Sequence, residues 1–214
     1  MIIFDNRGVG ESDKPSGDYT TKEMAEDTFQ LLKALKYEKA SVLGYSMGGM
    51  IAQELAINHP EVVDKLILAG TCSEPSKFNA HLLDGWQKIV VKGGIPDMLK
   101  NVLLWCISPG FYNEREAEIL EFEKATDLVH LSREAYLSQI ACIRTHNTTA
   151  RLGAIQARTL VLHAANDLLF SRAQQEQLLK EIKGSTSVCV DKGGHAFTWE
   201  CPEVFNGAVC DFLQ

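Results

Sequence analysis

A serine, an aspartate and a histidine in this chain stand where a hydroxyl can be turned against a carbonyl carbon. Ser46 is flanked by Gly44-Tyr45 and Met47-Gly48, Asp167 closes the run Ala164-Ala165-Asn166-Asp167, and His195 follows Asp191-Lys192-Gly193-Gly194. A serine hydroxyl is a weak nucleophile; it needs a base to take its proton, and the base needs a carboxylate to hold it in the right tautomer. Serine, acid and histidine in that chain order supply the parts for acyl transfer. The glycines at 44 and 48 fit a sharp strand-to-helix turn, in which side chains two residues either side of the serine would collide as strand and helix converge.

The flanking patterns predict the elements that would position these groups. Apolar runs at 40–43, 65–69, 159–163 and 187–190 read as buried strands, and 50–56 reads as a helix. Thr20 with Glu23 forms a capping-box signature for a helix reaching about residue 35, and Asn58-His59-Pro60 ends the helix after Ser46. Further helices are expected over 172–181 and 202–212. Alternating strands and helices imply a parallel sheet covered on both faces. The three candidate residues then follow three different strands on one edge, where open α/β sheets place their ligands.

Residues 72–155 form too long a stretch for an unstructured connection. Helical patterns at 81–91, 96–107, 114–131 and 133–145, broken at Gly93-Gly94 and Pro109-Gly110, predict a helical cap over the catalytic edge. The chain therefore divides into core (1–71), cap (72–155) and core (156–214). Trp86, Trp105, Phe111, Tyr112, Phe122 and Tyr136 are available to pack the cap onto the core or to line an apolar acyl pocket.

Other residues compete for the same roles. His163 ends a strand near Asp167, but its apolar surroundings point it into the core or along the sheet edge, whereas Gly193-Gly194 frees the loop that carries His195. Glu74 and Asp127 are alternative acids, and Asp5 is expected to tie its own loop together through backbone hydrogen bonds. His59, His81, His130 and His146 read as surface or helix-end residues. Histidine spacing suggests no metal site, and Gly8-Val9-Gly10 lacks the third glycine of a dinucleotide fingerprint. Six cysteines, at 72, 106, 142, 189, 201 and 210, contain no Cys-x-x-Cys pair and fit reduced thiols, with Cys189 and Cys210 explained by packing and Cys72 a buried bystander near the site.

The opening Phe4-Asp5-Asn6-Arg7-Gly8-Val9-Gly10-Glu11-Ser12 resembles the Asp-x-Arg-Gly-x-Gly-x-Ser loop of the α/β-hydrolase superfamily. The Ser46 turn, the strand before Asp167 and Gly193-Gly194-His195-Ala196-Phe197 are similar to that superfamily in order and spacing. The resemblance implies an α/β-hydrolase fold, a mostly parallel sheet flanked by helices with a helical cap. It also implies Ser46 as nucleophile, Asp167 as acid, His195 as base and the Met47 N–H as an oxyanion donor, with no cofactor or metal. The segment from Gly194 to Phe205 looks most like small carboxylesterases, enol-lactonases and cofactor-free haloperoxidases, which implies small esters or lactones as substrates.

Two departures from the superfamily shape the expectations. Its sheet begins with three strands before the Asp-x-Arg-Gly loop, whereas this chain starts at Met1-Ile2-Ile3-Phe4, read as lying inside the fourth. The superfamily's second oxyanion donor comes from a His-Gly motif, and no His-Gly pair occurs here. Losing one donor typically costs about a hundred- to a thousandfold in turnover. A nearly inactive small-molecule binder or signalling protein is therefore the alternative to an enzyme. The gap in the sheet is expected to be closed by pairing of the Met1 strand with the 40–43 strand, or by a second subunit, unless the chain is a fragment. An open apolar edge invites association, so a homo-oligomer is expected.

With 214 residues, 45% of them hydrophobic, the chain is long enough for one substantial core. Its net charge of −7 and isoelectric point near 5.4 speak against nucleic acid or an anionic membrane as partner. No apolar run approaches a bilayer span, and Ile2-Ile3-Phe4 has no basic residue ahead of it, so a cytoplasmic location is expected.

Overall fold

The computed structural model describes residues 1–126 and 132–214; Asp127, His130 and the end of the helix expected over 114–131 lie outside them. Among the described residues the sheet has four parallel strands in the order β1 (Ala40–Tyr45), β2 (Val63–Ala69), β3 (Arg158–Ala164) and β4 (Thr186–Val190). Register shifts by one residue between β1 and β2 after Ala40 and is regular beyond it, with Leu43 opposite Ile67, Ile67 opposite Leu160 and Leu162 opposite Val188.

Alternation along the strands sends side chains to two separate cores. Leu66, Leu68 and Val161 pack with Met24 and Leu32 of α1 (Thr21–Ala34), Ile51 and Leu55 of α2 (Met47–Asn58), and Leu178, near the end of the third helix layered on this face. Ile67, Ala69, Leu160 and Leu162 point the other way, onto Phe197 and Phe212. The α1 terminus is held as its sequence demands: Thr20 Oγ1 accepts the Glu23 N–H at 3.1 Å, and Glu23 accepts the Thr20 N–H at 2.9 Å.

Among the described residues, four α-helices lie between β2 and β3: α3 (Lys77–Cys106), α4 (Pro109–Glu114), α5 (Glu116–Thr126) and α6 (Arg133–Thr145). The break expected at Gly93-Gly94 is a kink inside α3, where Gly94 has φ 89° and Pro96 follows. α3 starts earlier than its apolar pattern because Ser76 and Asn79 cap each other. Leu83, Trp86, Val90, Met98 and Ile140 bury themselves against Met50 of α2 and Leu169-Phe170 after β3, which seats these helices on the carboxyl end of the sheet. The chain closes with α7 (Arg172–Glu181), the short α8 (Phe197–Glu200) and α9 (Pro202–Leu213).

Several expectations fail. Met1–Phe4 forms no strand and does not pair with β1: Met1 and Ile3 are exposed, and a cleft of about 260 Å³ lies between Ile2, Ile3, Phe4 and the Val42-Leu43 edge. Without a hydrogen-bonded neighbour, apolar residues alone make no strand. Cys189 and Cys210 are exposed rather than packed: Cys189 lies in the edge strand β4, and Cys210 lies on the uncovered side of α9. His146 does end a helix, but it is buried at 2% exposure and not on the surface.

His146 belongs to a polar network beneath α2. Its Nδ1 meets Thr21 Oγ1 at 2.9 Å and its Nε2 meets Thr148 Oγ1 at 3.4 Å, while Thr148 donates to Gln53 Oε1 at 2.6 Å. Burial lowers its pKa to about 4, below the 6.5 of a free imidazole. Between those values the unfolded chain takes up a proton that the folded chain refuses, so stability falls as pH drops through the window. The expected loss from this residue between pH 7 and pH 5 is about 2 kcal/mol. Urea midpoints at the two pH values should show that part of the fall missing in His146→Gln.

Candidate active site

Ser46 sits between the end of β1 and the start of α2 with φ 55° and ψ −120°, a backbone conformation that a non-glycine residue holds only under constraint. The constraint is visible: the Ser46 N–H donates to the Ala69 carbonyl at 2.9 Å, and the Ser46 carbonyl accepts the Gly49 N–H at 3.0 Å. A Cβ on Gly44 would lie 2.3 Å from the Gly48 carbonyl oxygen. The collision expected at Gly48 itself is absent, since a Cβ there meets nothing within 4 Å; the second tight position is Gly49, 2.6 Å from the Thr71 side chain. Gly44→Ala should therefore fail to fold stably while Gly48→Ala folds with a near-normal melting temperature, which thermal denaturation of the two variants would check.

The structure brings the other two candidates to this serine. His195 Nε2 lies 3.0 Å from Ser46 Oγ, and Nδ1 lies 2.9 Å from Asp167 Oδ2. Asp167 Oδ1 accepts the Leu169 and Phe170 N–H groups at 2.8 and 3.0 Å, so only Oδ2 faces the imidazole. The loops after β3 and β4 are tied by Ala165 N–H to the Val190 carbonyl (2.9 Å) and Asn166 N–H to the Gly193 carbonyl (3.2 Å). The imidazole is enclosed by the rings of Tyr45 and Phe170, 5.1 and 5.4 Å away between centroids, and the Tyr45 hydroxyl donates to the His195 carbonyl at 2.7 Å. The side chains of His195 and Asp167 are 4% and 1% exposed, so their hydrogen bond is shielded from water.

Met47 is the first residue of α2, and its N–H makes no hydrogen bond among the described residues. It is one of the donors a helix start leaves free, at the positive end of the helix dipole. The competing residues stand elsewhere. Ser46 Oγ is bonded to His195 and not to His163, which is half-buried in β3 with its pKa lowered by burial. Glu74 is exposed and its carbonyl, not its carboxylate, is engaged, by Gln174. Asp5 stays in its own loop, accepting the Glu11 N–H at 3.0 Å through its carboxylate and the Ser12 hydroxyl through its carbonyl. Burial pushes the Cys72 and Cys106 thiols up to about 12, so both are protonated at neutral pH. Among the described residues no group of three or more His, Cys, Asp and Glu side chains is placed to hold a metal ion, and no helix is long and apolar enough to cross a membrane.

Two contacts of the site carry no motif in the sequence. One is the Tyr45 hydroxyl on the His195 carbonyl. The other is Glu200, five residues after the histidine, whose carboxylate accepts the Gly194 N–H at 3.0 Å and also binds Ser108.

The chain has the α/β-hydrolase fold and is similar to members of that superfamily. The family model for the alpha/beta hydrolase fold matches residues 1–94. The enol-lactonase of Burkholderia xenovorans LB400 superposes with a TM-score of 0.89 at 27% identity, over 98% of this chain and 78% of that one. Est816, an N-acyl homoserine lactone degrading enzyme, superposes at 0.81 with 29% identity, over 97% of this chain and 80% of its own. The proposed carbamate hydrolase RutD of Caulobacter segnis is 28% identical over the whole of this chain and 81% of its own length. These relatives are hydrolases, and the chain spans about four fifths of their length.

Proposed function

We propose that the protein is a serine hydrolase of small carboxylic esters or lactones, working through an acyl-enzyme on Ser46. The observation that carries this reading is the unbroken chain of hydrogen bonds from Ser46 Oγ through the buried His195 imidazole to Asp167. Ser46 Oγ attacks the carbonyl carbon as its proton passes to His195 Nε2, while Asp167 holds Nδ1–H and stabilises the imidazolium. The Met47 N–H bonds the oxygen that gains charge. His195 then protonates the leaving alkoxide, and water activated by the same nitrogen cleaves the acyl-enzyme. Two of the relatives, an enol-lactonase and an N-acyl homoserine lactone degrading enzyme, act on lactones, which supports the ester and lactone class. Helices α3–α6 serve as the cap, with half-buried Trp105 and Tyr136 beside Met50 available to wall an acyl pocket.

A second reading, a weakly active binder, is favoured by the absence of a His-Gly motif, which leaves the Met47 N–H as the one donor assigned to the oxyanion. A fluorophosphonate probe separates the two: the expected result is one covalent adduct, mapped by mass spectrometry to Ser46. A folded protein left unlabelled supports the binder. The unpaired outer edge of β1, with Leu43 exposed, supports homo-association in either case. Light scattering that shows a stable monomer would remove that part.

A further inference from the structure

We propose that Glu200 is a positioning residue for His195, gripping the junction between α3 and α4 and so making the base depend on the docking of the inserted helices. This rests on the serine-hydrolase reading.

Both residues flanking the histidine are bonded outside their own loop. The Gly194 N–H donates to Glu200 Oε1 at 3.0 Å, and the Ala196 N–H donates to the Cys106 carbonyl at 2.8 Å. The same Glu200 carboxylate accepts the Ser108 N–H, at 3.2 Å to Oε2 and 3.3 Å to Oε1, and the Ser108 hydroxyl. One anion thus joins the histidine loop to residues 92 positions away in sequence, at the point where α3 ends and α4 begins. Packing leaves no slack there: a Cβ on Gly194 would lie 2.7 Å from the Cys106 oxygen and 2.8 Å from the Ser108 nitrogen.

The preceding residue, Trp199, repeats the attachment. Trp199 Nε1–H donates to Glu118 Oε1 at 2.8 Å, and its ring lies against Phe111 and Phe122, at centroid distances of 5.6 and 5.2 Å. His195 is therefore held from two sides. Asp167 and Tyr45 fix it from the sheet, and Glu200 fixes its backbone from the inserted helices. Hydrogen bonds to an ionised acceptor are stronger than neutral ones, and removing the carboxylate leaves the Gly194 and Ser108 N–H groups unpaired in a tight space. Glu200 touches neither Ser46 nor a reacting atom; its effect passes through the 3.0 Å distance between Nε2 and Oγ. Misplacement of a catalytic group by about 1 Å costs on the order of a hundredfold in rate.

The test compares wild type with Glu200→Ala and Glu200→Gln by three readouts: kcat and KM for p-nitrophenyl butyrate, the rate of fluorophosphonate labelling, and the low-field proton NMR signal of the His195 Nδ1–H. Glu200→Ala is expected to lower kcat and labelling together by about 10- to 100-fold with KM within about twofold, and to shift or broaden the NMR signal. Glu200→Gln, which keeps one acceptor oxygen for Gly194, should recover most of the loss. Should Glu200→Ala not fold, Ser108→Ala takes its place and should slow labelling severalfold. A folded Glu200→Ala, or in its place Ser108→Ala, with wild-type labelling and an unmoved NMR signal overturns the proposal. Failure of wild type to label at all would instead fall on the serine-hydrolase reading, and the NMR comparison would still decide the role of Glu200.

Discussion

Ser46→Ala is expected to lower p-nitrophenyl butyrate turnover by about 10³- to 10⁴-fold. The figure follows from two magnitudes. Loss of the nucleophile from a complete serine-hydrolase site costs on the order of 10⁶ in kcat, because the covalent route disappears. Here the only free donor assigned to the oxyanion is the Met47 N–H, and a missing second donor takes about 10² to 10³ from the starting rate. The drop is the smaller by that factor. Steady-state assays on both purified proteins at one substrate concentration above KM would measure it. Unchanged turnover would remove Ser46 from the mechanism, and a drop near a millionfold would mean that a second group donates to the oxyanion beside Met47.

Asp167→Asn should cost almost as much, about 10³- to 10⁴-fold in turnover, with little change in melting temperature. The reason lies in how the carboxylate is anchored. Asp167 Oδ1 accepts two backbone N–H groups, from Leu169 and Phe170, and can do so only as an oxygen. An asparagine must keep its carbonyl oxygen at that position, which aims its NH₂ group at His195 Nδ1. That nitrogen then becomes an acceptor, the ring proton moves to Nε2, and Nε2 presents a donor to Ser46 Oγ instead of a base. Shape and packing survive, so thermal denaturation should barely move while labelling by a fluorophosphonate slows. Labelling within tenfold of wild type would show that Asp167 does not set the tautomer.

What could be read from the sequence was local. Thr20-x-x-Glu23 announces its own cap, Pro60 ends a helix, and apolar runs followed by Asp167 and His195 mark strand ends on one sheet edge. What could not be read depends on partners distant in the chain. The tight glycine after the serine is Gly49 and not Gly48 because of Thr71, in the loop that follows the neighbouring strand β2. His146 is buried by Thr21, 125 residues earlier, so its position at a helix end says nothing of its exposure. Cys189 and Cys210 lie in apolar runs, yet an apolar run does not reveal whether anything covers its outer face. Met1–Phe4 has strand-like residues and no hydrogen-bonding partner beside β1. Glu200 looks like any glutamate in a short helix until Ser108 is placed against it.

The hydrogen bond between Ser46 and His195 joins positions 149 residues apart, and its acid comes from a third strand between them in sequence. Closing so long a loop carries an entropic cost, so the contact is expected to form late in folding, after β4 has found β3. A partly folded chain can already hold the elbow in its native turn, yet it lacks a base to deprotonate the hydroxyl. Intermediates are thus chemically silent toward acylating agents. In a refolding experiment, the onset of covalent labelling should lag behind the recovery of helical circular dichroism and coincide with pairing of β4 to β3.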